Sequence, residues 1–153
     1  MTTITPKHPP ANDAALLACE REIGLSIPFP YRSFLATHNG GAPCPDGFTY
    51  EDQSGSRSAA GVNGFLGVHD GQESIARYVR TFRNRIPKEF FPIASDGGGN
   101  LVLLAAAGPN AGHVFFWHHE LEADEGETPD YRNVFHVADS FDAFLAGLRE
   151  LEE

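Results

Sequence analysis

The chain has 153 residues, of which 41% are hydrophobic and 21% are charged. This length and composition fit one globular domain and exclude a disordered chain. Eleven Lys and Arg residues against 21 Asp and Glu residues give a net charge of −10, which disfavours direct binding to nucleic acid or to anionic membranes. The longest apolar run, residues 101–107, is far shorter than the roughly 20 residues that cross a bilayer.

We expect residues 1–11 to be a flexible lead-in and residues 12–153 to form the single domain. The lead-in is polar and rich in proline, without the apolar core of a secretory signal. Cys19 and Cys44 can form at most one disulfide, and nothing else indicates an oxidising compartment. These features predict a cytoplasmic protein.

Two helices are predicted near the start of the domain. The first begins at Asn12 or Asp13, whose short side chains can accept a hydrogen bond from the first turn, and ends at Gly24. The second begins at Pro30, a residue suited to a first helical turn, and ends at the Asn-Gly-Gly of residues 39–41.

The middle of the chain mixes short elements. Residues 47–51 are predicted as a short strand, residues 53–61 as an exposed loop, and residues 63–68 as a strand. Residues 72–85 have the apolar periodicity of a helix, which Pro87 closes.

The last third is predicted as an antiparallel meander that ends in a helix. The predicted strands are β-branched or aromatic and are separated by glycine-rich turns; they are residues 90–94, 101–105, 113–118 and 131–137. Asp139 or Ser140 caps the final helix. The whole pattern predicts an α+β fold, a mainly antiparallel sheet packed by N-terminal, central and C-terminal helices.

Four histidines lie on or next to neighbouring predicted strands and are candidate metal ligands: His113, His118, His119 and His136. Successive side chains of a strand point to opposite faces, so at most one of His118 and His119 can join His136. A His-Glu-x-x-His motif is absent, and the two cysteines lack the spacing of zinc ligands. We therefore expect no metal and no cofactor.

Other catalytic patterns are weak. Residues 96–100, Asp-Gly-Gly-Gly-Asn, lack the ending of a phosphate-binding P-loop and are predicted as a hairpin turn. No Gly-x-Ser-x-Gly nucleophile motif occurs, and only sequence proximity connects Cys44 with His38. The sequence predicts that the protein is not an enzyme.

Two charge runs remain. The basic run contains Arg77, Arg80, Arg83, Arg85 and Lys88. It fits either a solvated face paired with local acids or a site for an acidic partner.

The acidic run follows an aromatic strand and contains Glu120, Glu122, Asp124, Glu125, Glu127 and Asp130. It fits either a solvated loop or a surface that attracts a basic protein partner. With Trp117 and Tyr131 as aromatic anchors, these acids are the predicted partner-binding residues.

Several segments together resemble the SUKH superfamily, the Smi/Knr-type domain. The resemblance covers roughly residues 13–150, and its most specific part is FPIASDGGGN at residues 91–100. The other matching segments are CEREIGLSIP at 19–28, YRSFLATHNGG at 31–41, FLG at 65–67, VFFWHHE at 114–120 and VADSFDAFL at 137–145. The sequence departs from the family pattern at Ile27, where Leu is commoner, and at His118, where Asp is common.

The resemblance implies an α+β domain without catalytic residues. Bacterial members of this superfamily are largely immunity proteins that bind and neutralise toxins, many of them nucleases, whereas fungal relatives act as scaffolds in cell-wall synthesis and signalling. The leading expectation is an immunity protein for a basic toxin domain, acting as a monomer or weak homodimer. The alternatives are a regulatory scaffold and a metal- or phosphate-dependent enzyme that uses His113, His118, His136 or residues 97–99.

Overall fold

The computed structural model describes residues 2–151, so Met1 of the predicted lead-in and Glu152 and Glu153 of the predicted domain lie outside the described residues. Helix α1 spans Asp13–Ile23, and helix α2 spans Phe29–Thr37. Asn12 caps α1 by accepting a hydrogen bond from the Ala15 amide at 2.9 Å. Gly24 ends α1 with a left-handed φ of 75°, as the sequence predicts.

The main sheet is antiparallel, and its five strands pair in the order in which they follow one another along the chain. Its strands are β5 (Gly64–Phe65), β6 (Phe90–Ser95), β7 (Leu101–Ala105), β8 (Val114–Trp117) and β9 (Val134–Ala138). The predicted meander is therefore confirmed. Strand β5 is shorter than the strand predicted over residues 63–68, because only Gly64 and Phe65 pair regularly with β6.

Both faces of this sheet are buried. Val102 and Leu104 pack into the larger cluster with residues of α1 and α2, whereas Leu101 and Leu103 face a second cluster on the opposite side. This alternation follows from the two-residue period of a strand. Both faces are apolar, which explains why residues 101–105 read as a continuous apolar run.

Two short helices flank the sheet. Helix α3 spans Ile75–Thr81 and helix α4 spans Phe141–Ala146. Ser140 caps α4 by accepting a hydrogen bond from the Ala143 amide at 3.0 Å. Helix α3 is shorter than the predicted 72–85, because the chain turns after Phe82 and Asn84 adopts a positive φ of 66°.

Two two-stranded antiparallel sheets complete the fold. Strand β1 (Thr3–Thr5) pairs with β2 (Ala42–Cys44), and β3 (Gly47–Glu51) pairs with β4 (Arg57–Gly61). The prediction of a loop over residues 53–61 is thus wrong for β4, whose small residues carry little strand propensity but pair along the whole of β3. Strand β1 lies in the segment predicted as a lead-in, and its partner is about 40 residues away in sequence, beyond the reach of local patterns.

The turn between β3 and β4 is organised by Asp52. Its carboxylate accepts hydrogen bonds from the amide and hydroxyl of Ser54 and from the hydroxyl of Ser58, and these bonds lower its pKa to about 2. None of the helices within residues 2–151 combines the length and the apolar character of a membrane span.

Candidate partner-binding surface

Residues 118–133 join β8 to β9 and contain the acidic run; we call this segment the acidic loop. It begins with one turn of 3-10 helix, His119–Leu121. Its two ends are joined, because the His118 amide donates to the Asn133 carbonyl at 2.9 Å and Asn133 Nδ2 donates to the His118 carbonyl at 3.1 Å. The loop therefore leaves the sheet and returns to it at one place.

Two ion pairs hold the acidic loop. The Arg85 guanidinium donates to both carboxylate oxygens of Glu122, at 2.8 and 3.2 Å. Arg132 forms a similar pair with Asp130, at 2.8 and 2.9 Å. Hydrogen bonds from Arg132 lower the pKa of Asp130 to about 2. Glu122 and Asp130 are thus occupied by internal partners, which the sequence prediction did not distinguish from the other acids.

The base of the acidic loop is aromatic. The Arg85 guanidinium lies 4.6 Å from the centre of the Phe82 ring and 5.5 Å from that of Trp117, within the range of cation–π attraction. Trp117 itself is 0% exposed and packs edge-on against Phe82. The indole therefore packs against Phe82 and Arg85, the residue that binds Glu122 of the loop, and is not available for direct contact with a partner.

Four acids of the loop carry exposed charges: Glu120, Asp124, Glu125 and Glu127. Across residues 2–151, none of the four forms a salt bridge. One carboxylate oxygen of Glu127 accepts a hydrogen bond from the Asp124 amide at 2.9 Å, which shapes the tip of the loop without neutralising it. These four side chains form the negative surface that is open to solvent.

An open groove of about 1030 Å³ runs beside the tip of the acidic loop. Its apolar lining comes from Ile23 at the end of α1, from Leu25 after that helix, from Val79 of α3 and from Phe90 of β6. The loop supplies residues 126–129 as one wall of the groove. An apolar floor beside a charged rim is the usual composition of a protein interface.

Tyr131 lies at this groove and is 57% exposed. Its ring contacts Phe90 edge-on, with ring centres 6.0 Å apart. Its hydroxyl donates a hydrogen bond to Glu89, and this bond raises the pKa of the tyrosine. Of the two predicted aromatic anchors, Tyr131 is placed at the surface and Trp117 is not.

The basic run is partly paired. Arg80 forms an ion pair with Glu22 at 2.5 Å, and Arg85 binds Glu122. Arg77, Arg83 and Lys88 form no salt bridge with residues 2–151. The sequence does not reveal that Arg85 of the basic run holds the acidic loop, because Arg85 and Glu122 are 37 positions apart in the chain.

The glycine-rich segment forms a hairpin turn, as predicted. It connects β6 to β7, and Asp96 accepts hydrogen bonds from the Gly98 and Asn100 amides at 2.7 and 3.0 Å. Asn100 in turn accepts a hydrogen bond from the His119 amide at 2.9 Å. This contact fixes the start of the acidic loop to the neighbouring hairpin.

The remaining predicted site residues are dispersed. Within the described part of the chain, Cys44 and His38 share no hydrogen bond, and both cysteines are free. His118 and His119 stack on each other at the start of the acidic loop. His113 and His136 instead meet at the other end of β8 and β9, beside Asp139.

The architecture is of the α+β class, a five-stranded antiparallel sheet accompanied by helices and two two-stranded sheets. Residues 10–147 match the SMI1 / KNR4 family (SUKH-1), and the chain belongs to this family. One relative is the SPbeta prophage-derived uncharacterized protein YokK of Bacillus subtilis (strain 168), 32% identical over 87 residues. That match covers 57% of this chain and 41% of the relative, so it spans less than half of the relative's length.

Proposed function

We propose that the chain is a non-enzymatic cytoplasmic immunity protein that neutralises a basic toxin domain by stoichiometric binding. The observation that carries this proposal is the acidic loop, whose four exposed acids stand beside an apolar groove while its other two acids hold it in place. Family membership supports a protein partner. A toxin that binds nucleic acid is basic, and an acidic inhibitor fits the same surface.

Charge and apolar contact have separate roles in this proposal. The attraction between the partner and the exposed acids is electrostatic and is screened by salt, so these acids mainly raise the association rate. They are Glu120, Asp124, Glu125 and Glu127. The groove and Tyr131 provide the area that is desolvated on contact, so they mainly slow dissociation. Glu122 and Asp130 contribute by holding the loop, and Trp117 by supporting it.

The partner is sought first by a pull-down from the native host with the tagged protein, washed at low and then at moderate salt. The expected result is one basic partner, recovered at about one copy per copy of the bait and lethal when expressed alone. Rescue of growth by co-expression of this chain would establish immunity. Recovery of envelope or signalling proteins that are harmless alone would instead support the regulatory scaffold.

The role of the loop is then tested on that partner with a fourfold variant: Glu120→Gln, Asp124→Asn, Glu125→Gln and Glu127→Gln. Four exposed acids elsewhere provide the matched control, with the changes Asp46→Asn, Glu51→Gln, Asp70→Asn and Glu150→Gln. Stopped-flow association at low salt should be at least about tenfold slower for the loop variant than for the control. Equal rates for the two variants would contradict the role of the loop while leaving the identity of the partner intact.

A further inference from the structure

Three side chains converge near the outer edge of the main sheet: His113 just before β8, His136 in β9 and Asp139 just after β9. His113 Nδ1 lies 3.2 Å from His136 Nε2. Asp139 Oδ1 lies 3.0 Å from that His136 nitrogen and 3.6 Å from the His113 nitrogen. All three atoms thus form a small triangle, without any residue of the acidic loop.

A bulge in β9 explains how the sequence places them together. Phe115 pairs with His136, but the next pair is Val114 with Ala138, so Val137 is an extra residue in β9. Without it, His136 and Asp139 would face opposite sides of the sheet, because side chains alternate along a strand. The bulge brings Asp139 to the face that His136 and His113 share.

The Asp139 carboxylate is not used as the cap of helix α4. Ser140, and not Asp139, caps helix α4. The sequence alone allows either residue as the cap, and the structure leaves the Asp139 carboxylate beside His136.

The dimensions of the triangle match a metal site. In a tetrahedral centre with bonds of about 2.0–2.1 Å, neighbouring ligand atoms are about 3.3 Å apart. The separations of 3.0, 3.2 and 3.6 Å lie on both sides of that value. The side chains are 30%, 47% and 82% exposed for His113, His136 and Asp139, so a metal ion could enter from solvent and hold a water at a fourth position.

We propose that His113, His136 and Asp139 bind one divalent transition-metal ion, of which Zn²⁺ fits best. Two imidazole nitrogens with one carboxylate oxygen are typical zinc ligands, whereas Mg²⁺ and Ca²⁺ prefer oxygen ligands alone. The fourth position, open to solvent, can accept water or a donor group from another molecule. This proposal departs from the sequence-based expectation of no metal, and it is independent of the proposed immunity function.

The test uses the full chain with its purification tag removed, after treatment with a chelator and dialysis. Calorimetric titration with ZnCl₂ should show about one ion per chain. Titration with CoCl₂ should give the visible absorption bands of four-coordinate cobalt. His136→Ala and Asp139→Asn should each weaken Zn²⁺ binding at least about tenfold.

His8→Ala is the matched control, because His8 stacks on His69 in a second histidine pair of this chain. It should leave Zn²⁺ binding unchanged. Circular dichroism without metal checks that every variant is folded, and Asp139→Asn keeps the shape of its side chain if His136→Ala does not fold. The proposal would be overturned if the unaltered chain did not bind Zn²⁺. It would also be overturned if His136→Ala and Asp139→Asn bound Zn²⁺ as tightly as the unaltered chain.

Discussion

The two cysteines of this protein, Cys19 and Cys44, differ in exposure because their surroundings differ. Cys19 on α1 is buried, and burial together with the nearby carboxylates of Glu22 and Glu20 raises its thiol pKa to about 11. Cys44 on β2 is exposed. The thiolate is the reactive form of cysteine, so the two residues should differ in reactivity although the sequence treats them alike.

We predict that a thiol reagent such as Ellman's reagent labels Cys44 rapidly at pH 8 in the folded protein and labels Cys19 only after unfolding. The measurement is the number of thiols that react before and after addition of denaturant. Cys44→Ser is the control and should have no fast-reacting thiol. Fast labelling of that variant would show that Cys19 is accessible in the native state.

At the level of elements, the acidic loop is held by Arg85, which precedes it, and by contacts within the loop itself. Arg85 lies after α3, and its contact with Glu122 spans 37 positions of the chain. Charge repulsion within the acidic run predicts an extended loop, but this contact and the closure at Asn133 fix both of its ends. Local charge patterns could therefore predict where the loop lies but not which acids remain available.

Glu122→Gln should loosen the loop without unfolding the domain. An exposed ion pair contributes only about 0–1 kcal/mol to the free energy of unfolding, so the midpoint of thermal unfolding should change little. Hydrogen exchange at the amides of Asp124 and Glu127 should become faster, because both form hydrogen bonds within the loop. Glu125→Gln removes the same charge from an acid without a salt bridge in residues 2–151 and should leave exchange unchanged; equal exchange in both variants would contradict the role of Arg85.

At the level of the whole molecule, the main sheet is buried on both faces. Leu104 belongs to the large cluster with α1 and α2, whereas Leu103 belongs to the cluster that contains Trp117 and Phe90. The second cluster is closed by Phe82 and Ile86, which follow α3. The basic segment after α3 therefore covers a core and also supplies the arginine that holds the acidic loop.

Leu103→Ala and Leu104→Ala should each lower the free energy of unfolding by about 2–5 kcal/mol, because each removes a fully buried side chain. The measurement is urea unfolding followed by circular dichroism and by the fluorescence of Trp117, the one tryptophan of the chain. The two probes should give a single shared transition in the unaltered protein. A loss below about 1 kcal/mol for Leu103→Ala would contradict the packing of the second face.

The sequence by itself determined the features that depend on neighbouring residues. These are the ends of α1, the meander of the main sheet, the hairpin turn at residues 96–100 and the position of the acidic run. Helix caps and turns require particular residues at fixed offsets, and a buried strand requires apolar residues in a row, so each can be recognised locally.

Only the tertiary structure decided the features that join distant segments. It paired β1 with β2, buried Trp117, occupied Glu122 with Arg85, and brought His113 to His136 and Asp139. The last of these depends on one extra residue, Val137, whose effect is invisible until β9 is paired with β8. A one-residue shift reverses which side chains share a face, and no local pattern records it.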